Sequence, residues 1–183
     1  MLEDKLRNIL STLPTLMRDL DAVKSLNLPN WCIAAGYVRN FVWDHEHHYY
    51  SGTTPMNDID VLYYDLTDIN EDTEKEYENL LNMKLHGYNW SVKNQARMHE
   101  RNKEEPYLSV EDAMKRWPET ATAIGITLDQ DNKIIIIAPY GLTDLFEMKI
   151  RRSPLFNNID TFNTRVRSKK WLTTWPKLIL IDE

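Results

Sequence analysis

One cysteine, five glycines and no long apolar run set the first limits on this chain of 183 residues. Cys32 lies in an apolar segment and has no second thiol to pair with, which excludes an intramolecular disulfide framework. A buried structural thiol and a cytoplasmic address are expected. No apolar run approaches the roughly 20 residues that a membrane-spanning helix needs. The start, Met1-Leu2-Glu3-Asp4-Lys5, has no basic region leading into an apolar core, so no signal peptide is expected. No serine stands in a Gly-x-Ser-x-Gly elbow and no Walker phosphate loop is present, which leaves a serine hydrolase and a P-loop NTPase without support. An overall basic excess is also missing: 22 Lys and Arg face 28 Asp and Glu, for a net charge of −6. Strong nucleic-acid binding is therefore not expected.

What is present is a soluble composition, 42% hydrophobic and 27% charged, in a length suited to one core. The charge is unevenly placed. Residues 1–148 hold 14 basic and 25 acidic side chains, while residues 149–183 hold 8 basic and 3 acidic. The basic positions of that tail are Lys149, Arg151, Arg152, Arg165, Arg167, Lys169, Lys170 and Lys177. Two uses are open to them: neutralising the acidic body, or facing an anionic ligand whose phosphate oxygens Arg can fork. Phe162, Trp171 and Trp175, interleaved among them, either stack on bases or close the core.

The sharpest signal is Asn57-Asp58-Ile59-Asp60-Val61-Leu62-Tyr63-Tyr64. A strand alternates its side chains, so Asp58 and Asp60 project together while Ile59 and Val61 point the other way. Adjacent carboxylates repel unless a cation lies between them. Mg²⁺ (or Mn²⁺) suits such a pair, since it takes its remaining oxygens from water and phosphates. Upstream, residues 31–35 read as a short buried strand, Gly36 permits a tight turn, and Val38 to Trp43 begin a helix. A helix N-terminus after small residues favours an anion such as phosphate. Arg39 is the best cationic candidate for a triphosphate, with a structural bridge to an acid as its other role, and Asn40 is placed to assist.

With Ala35-Gly36-Tyr37-Val38-Arg39-Asn40 and Asn57-Asp58-Ile59-Asp60-Val61 together, the chain resembles the nucleotidyltransferase superfamily typified by DNA polymerase beta. The glycine segment is similar to the Gly-Gly-x-Val-Arg-Asp motif of tRNA CCA-adding enzymes. More closely, the chain resembles a small family of bacterial nucleotidyltransferase-like proteins of unassigned substrate. Further segments carry that likeness: residues 92–99, 121–126 and 140–146. The resemblance implies an α/β (α+β) fold, a small mixed sheet flanked by helices. It also implies transfer of a nucleoside monophosphate from an NTP to an acceptor hydroxyl, with release of pyrophosphate. Asp58 and Asp60 would be catalytic and metal-binding; Gly36, Arg39 and Asn40 would bind the nucleotide. The acceptor is open: a small molecule, a protein or RNA. Two departures stand out. Gly36 is followed by the large Tyr37, and the strand at residues 90–94 lacks the third carboxylate that the superfamily implies. Asn94, Asp129 and Asp144 are the substitutes within the chain, Asp144 serving equally well as a helix cap. The alternative function is a nucleotide-binding protein of the same fold without catalysis.

The remainder reads as one domain over residues 1–183. Leucines at helical spacing make residues 1–26 helical with a break near Pro14. Residues 44–56 read as a polar loop, 72–86 as an acidic surface helix, and 110–117 as a helix started by Ser109. Residues 121–128 and 133–138 form a hairpin, 141–150 a helix, and the basic tail from 151 an irregular extension packed on the domain. His45-Glu46-His47-His48 suggests solvated imidazoles in a loop rather than a metal site. Arg97 and His99 offer a phosphate contact and a proton carrier, or an ordinary helix surface.

Overall fold

The computed structural model describes residues 1–50, 54–56 and 58–181; residues 51–53 of the expected loop and Asn57 of the acidic motif lie outside them. Two helices, α1 (Leu2–Leu10) and α2 (Leu16–Lys24), open the chain and are separated at Pro14, as the missing proline N–H requires. Then come β1 (Cys32–Ala34), α3 (Gly36–Glu46), β2 (Asp58–Tyr63), α4 (Glu71–Lys84), β3 (Asn89–Asn94) and α5 (Gln95–Asn102). The second half holds α6 (Val110–Met114), β4 (Gly125–Leu128), β5 (Ile134–Ile137), α7 (Thr143–Phe146) and β6 (Lys149–Arg151). It closes with α8 (Ile159–Ser168), α9 (Trp171–Thr174) and β7 (Ile179–Ile181).

Five strands form a mixed sheet in the order β3-β2-β1-β4-β5, in which only β2 and β3 run parallel. The main core packs one face of it: Ile33, Ile59, Val61, Trp90, Val92 and Ile126 meet the apolar sides of the helices. Asp58, Asp60 and Leu62 point to the opposite face, where Cys32, Ala34, Leu62, Met114 and Ala123 form a smaller cluster. Burial pushes the Cys32 thiol up to about 12, so it stays protonated. Gly125 lets β4 approach β1 there, since a Cβ at that position would stand 2.8 Å from the Cys32 sulfur. The β4–β5 hairpin has Asn132 in the left-handed region (φ 60°), the role expected of glycine.

Three expectations need correction. Helix α3 continues to Glu46, so Asp44 to Glu46 belong to a helix rather than a loop. Residues 141–150 hold only the single turn of α7, because Met148 turns the chain at φ 56° into β6. The tail is ordered, not irregular. β7 pairs in parallel with β6, and Asn158 caps α8 by accepting from the Thr161 amide. Phe162, Val166, Trp171 and Trp175 bury into the main core, so these aromatics close it rather than offering a stacking surface. No helix is long and apolar enough to cross a membrane among the described residues.

Candidate active site

Register fixes what surrounds the two acids. Asp60 lies beside Ala34 of β1 and Ser91 of β3, and Asp58 lies beside Asn89. Asn89 Nδ2 donates to Asp58 Oδ1 at 2.9 Å. Burial raises the Asp60 carboxyl above its ordinary range, Arg39 opposes that, and neighbouring Asp58 adds to it. A pair of carboxylates on one face, one of them resisting ionisation, fits a hard divalent cation whose charge would offset both costs. No cluster of three or more metal-ligating side chains forms among the described residues, and the neighbouring strand contributes no acid.

Between β1 and α3 the turn is made at Ala35, with φ 57° and ψ −122°, a region that alanine rarely enters. Gly36 is the first residue of the helix. The tight turn expected at Gly36 is thus one residue earlier, and Gly36 serves a different end. A Cβ there would come only into ordinary contact, 3.5 Å from Asn40 Nδ2 and 3.7 Å from an Arg39 nitrogen. Its absence leaves the floor of the cavity open to the helix's first amides, which have no intrahelical acceptor and no side-chain cap. Tyr37 is steered away from this floor: it is fully buried, and its hydroxyl donates to Asp19 Oδ2 at 2.9 Å.

Arg39 is the central cation. Only 6% exposed, it donates through Nη1 to Thr122 Oγ1 at 2.7 Å and through Nη2 to Asn40 Oδ1 at 2.8 Å. Its guanidinium lies 4.4 Å from the Trp171 ring centroid and 5.2 Å from that of Trp43. Both hydrogen-bond partners are neutral, and burial pushes Arg39 down to about 10. Arg165, on α8, is held by Glu119, whose Oε1 accepts from Arg165 Nε at 2.6 Å. A cavity of about 220 Å³ gathers Gly36, Arg39, Asn40, Asp58 and Asp60, roofed by Arg165 and Lys169. All five residues singled out in the sequence line it. Of the eight basic tail residues, Arg165 and Lys169 line it as well.

Other candidates are engaged elsewhere. Asn94 caps α5 and bonds the backbone of Asp65 and Asp68, five register positions along β3 from Asn89. Asp129 Oδ1 closes the hairpin by accepting from the Asp131 and Lys133 amides. Asp144 does not cap α7 through its side chain; its Oδ2 accepts from Thr120 Oγ1 and Arg151 Nε. None of the three lines the cavity. Arg97 forks Glu74 rather than a phosphate, and His99 packs edge-on to Tyr107. His47 ties down the tail by accepting from the Lys177 amide at 3.0 Å.

A family model described as nucleotidyltransferase matches residues 21–180. The chain belongs to the nucleotidyltransferase family. It is 31% identical to a protein whose NMR structure reveals a CCA-adding enzyme head domain, with a TM-score of 0.85 over 97% of this chain and 96% of that one. A CCA-adding enzyme in complex with CTP is 15% identical, with a TM-score of 0.63 over 97% of this chain and 43% of that one. The Thermotoga maritima CCA-adding enzyme complexed with tRNA is 14% identical, with a TM-score of 0.62 over 97% and 42%. The chain therefore spans less than half the length of these two enzymes, and with them it shares the fold. No curated protein sequence matches it.

One of the family-like segments, residues 121–126, packs against the cavity. Residues 121–126 include Thr122, the acceptor for Arg39, and just before them Glu119, 1% exposed, positions Arg165. Sequence reading missed Glu119 and Thr122 as supports of this candidate site. For Arg165 and Lys169 the available signal was their four-residue spacing, legible only once that stretch is read as helix.

Proposed function

We propose that this chain transfers a nucleoside monophosphate from an NTP to an acceptor hydroxyl and releases pyrophosphate. The observation that carries this reading is the buried Arg39, whose bonded partners are neutral, in one cavity with two adjacent carboxylates. A desolvated guanidinium without a bonded carboxylate partner is costly, and a phosphate group would repay that cost. Asp58 and Asp60 would hold Mg²⁺ or Mn²⁺, which when bound neutralises phosphate charge and orients the triphosphate. The open first turn of α3 at Gly36 would receive phosphate oxygens on its amides, Arg39 would fork them, and Asn40 would keep Arg39 aimed. Arg165 and Lys169 would draw the developing pyrophosphate charge from above.

A second reading, NTP binding without transfer, is favoured by one observation: Asn89 and Ser91 stand on β3 where the superfamily implies an acid. The test separates the two. The four α-³²P-labelled NTPs, with Mg²⁺ or Mn²⁺ and a desalted lysate of the source cells, are given to wild type and to the Asp58→Asn/Asp60→Asn double variant. Label on a small molecule, RNA or protein with wild type alone supports the transferase and identifies the acceptor class. Metal-dependent NTP binding without label would move the assignment to the binding protein.

A further inference from the structure

A second cavity adjoins the first and differs from it in kind. It encloses about 280 Å³ and is walled mainly by apolar atoms of Leu13, Pro14, Phe41, Met56 and Tyr88. Asn40, Pro55 and Met56 line both cavities, so the two meet at a short strap, residues 54–56, and one side chain of α3. The strap is fastened to α3. Asp44 Oδ1 accepts from Thr54 Oγ1 at 2.6 Å and from Trp175 Nε1 at 2.7 Å, and Oδ2 accepts from the Thr54 amide at 3.3 Å. Three hydrogen bonds from neutral donors hold the Asp44 carboxylate at one edge of the cavity, while the rest of the wall is mainly apolar. Both cavities also follow α3, the polar one at Gly36, Arg39 and Asn40, the apolar one at Asn40, Phe41 and Asp44. From Gly36 to Asp44 the helix rises about 12 Å, so a ligand with anionic groups at the helix start can place a ring one to two turns along.

We propose that this apolar cavity is the subsite for the heteroaromatic base of the incoming nucleotide. The inference rests on the nucleotidyl-transfer reading and adds to it the place where the base is recognised. A thioether, a phenyl ring and a proline offer a base what its faces need, polarisable and dry contact. Asn40 Oδ1 is occupied by Arg39, so its Nδ2 is the hydrogen-bond donor left at the junction of the two cavities. Leu13 and Pro14, in the link between α1 and α2, also line this cavity and precede residues 21–180 that match the family.

The experiment measures binding of ATP, CTP, GTP and UTP, and of inorganic tripolyphosphate, each with Mg²⁺. Wild type is compared with Met56→Ala and with the nearly isosteric Met56→Gln. Met56 is only partly buried, so both variants are expected to fold. The expected result is a loss of roughly tenfold for the preferred NTP with tripolyphosphate held within about twofold. Intermolecular nuclear Overhauser contacts from the base protons to the Met56 methyl are expected in wild type. Unchanged NTP affinity in both variants, or base contacts falling elsewhere, would overturn the base subsite and leave nucleotide binding standing. Wild type that binds tripolyphosphate no more weakly than every NTP would also overturn it. Wild type that binds neither removes the transfer reading itself, and the subsite with it.

Discussion

The two ends of the β2–β3 pair carry the same kinds of side chain and use them in opposite ways. At the Tyr63–Asn94 end, Glu74 is fully buried, and its carboxylate accepts from Arg97 Nε at 2.7 Å, Arg97 Nη2 at 2.6 Å and the Asn94 amide at 2.8 Å. Lys93 adds a further contact at 3.3 Å. The buried Glu74 charge is there answered by charges of the other sign. At the Asp58 end, two acids stand side by side, and the bonded partners of the nearby buried Arg39 are an amide oxygen and a hydroxyl. A buried acid and base that satisfy each other hold a fold together; an acid pair and a base kept apart await a third party. That contrast, more than the presence of Asp or Arg as such, is what supports the proposed site at the Asp58 end.

The contrast can be broken from either end. The largest effect is expected at the acids: Asp58→Asn or Asp60→Asn should lower nucleotidyl transfer by about a thousandfold or more. Because removing one of two repelling carboxylates relieves a cost, the thermal midpoint should stay level or rise. Transfer near the wild-type rate in either variant would reduce the site to a coincidence of acids.

At the other end the effect should fall on stability alone. Glu74→Gln leaves Arg97 and Lys93 without their buried partner and is expected to cost about 3–5 kcal/mol, read by urea denaturation. Burial pushes the Glu74 carboxyl up, but Arg97 and the Asn94 amide outweigh burial and hold it below its ordinary value of 4.5. The sign follows. A carboxylate with a depressed folded-state value contributes stability above about pH 4.5 that is lost as pH falls. Wild type should therefore weaken on acidification through that range, and Glu74→Gln should show a flatter profile. NTP affinity unchanged in the variant would keep the two ends distinct.

Arg39→Lys sharpens the comparison with a smaller change. Lysine keeps the charge but loses the planar fork and its seat against Trp171. NTP affinity is expected to fall by roughly tenfold, with the loss larger for tripolyphosphate-bearing ligands than for nucleosides. Equal loss for both would mean that Arg39 mainly supports the fold through Trp43 and Trp171.

The sequence made the strand pair and the acidic dyad legible, since each rests on local periodicity, whereas the turn expected at Gly36 falls one residue earlier, at Ala35. The ordered tail was not legible in it. Its helix α8 has a basic last turn, and its buried residues, Phe162 and Val166, are too few to set a clear stripe. β7 is three residues long and exists because β6 offers it an edge. The roof over the acids, Arg165 and Lys169, was named among the cations only as two of eight. Tertiary contact with Glu119 and Trp171 singles out Arg165, and Lys169 follows it one helical turn later.

The smallest effect concerns the turn itself. Ala35 holds φ 57° and ψ −122°, where a methyl group crowds the backbone, at the position where the similar motif has glycine. Its amide donates to Ile124 O at 3.1 Å, and its carbonyl accepts from the Arg39 amide at 3.0 Å, so the neighbours on both sides fix the conformation. Ala35→Gly would release the strain, on the order of 1–3 kcal/mol, while loosening the unfolded chain by about 0.4–1 kcal/mol. The net expectation is a gain of about 1 kcal/mol, or about 2–4 °C in thermal midpoint for a chain of this size. NTP affinity should not fall, because the amides of the first α3 turn stay where they are. A loss of stability would show that the buried Ala35 methyl contributes more through packing than its backbone costs, which would move the strain from the turn to the strands that hold it.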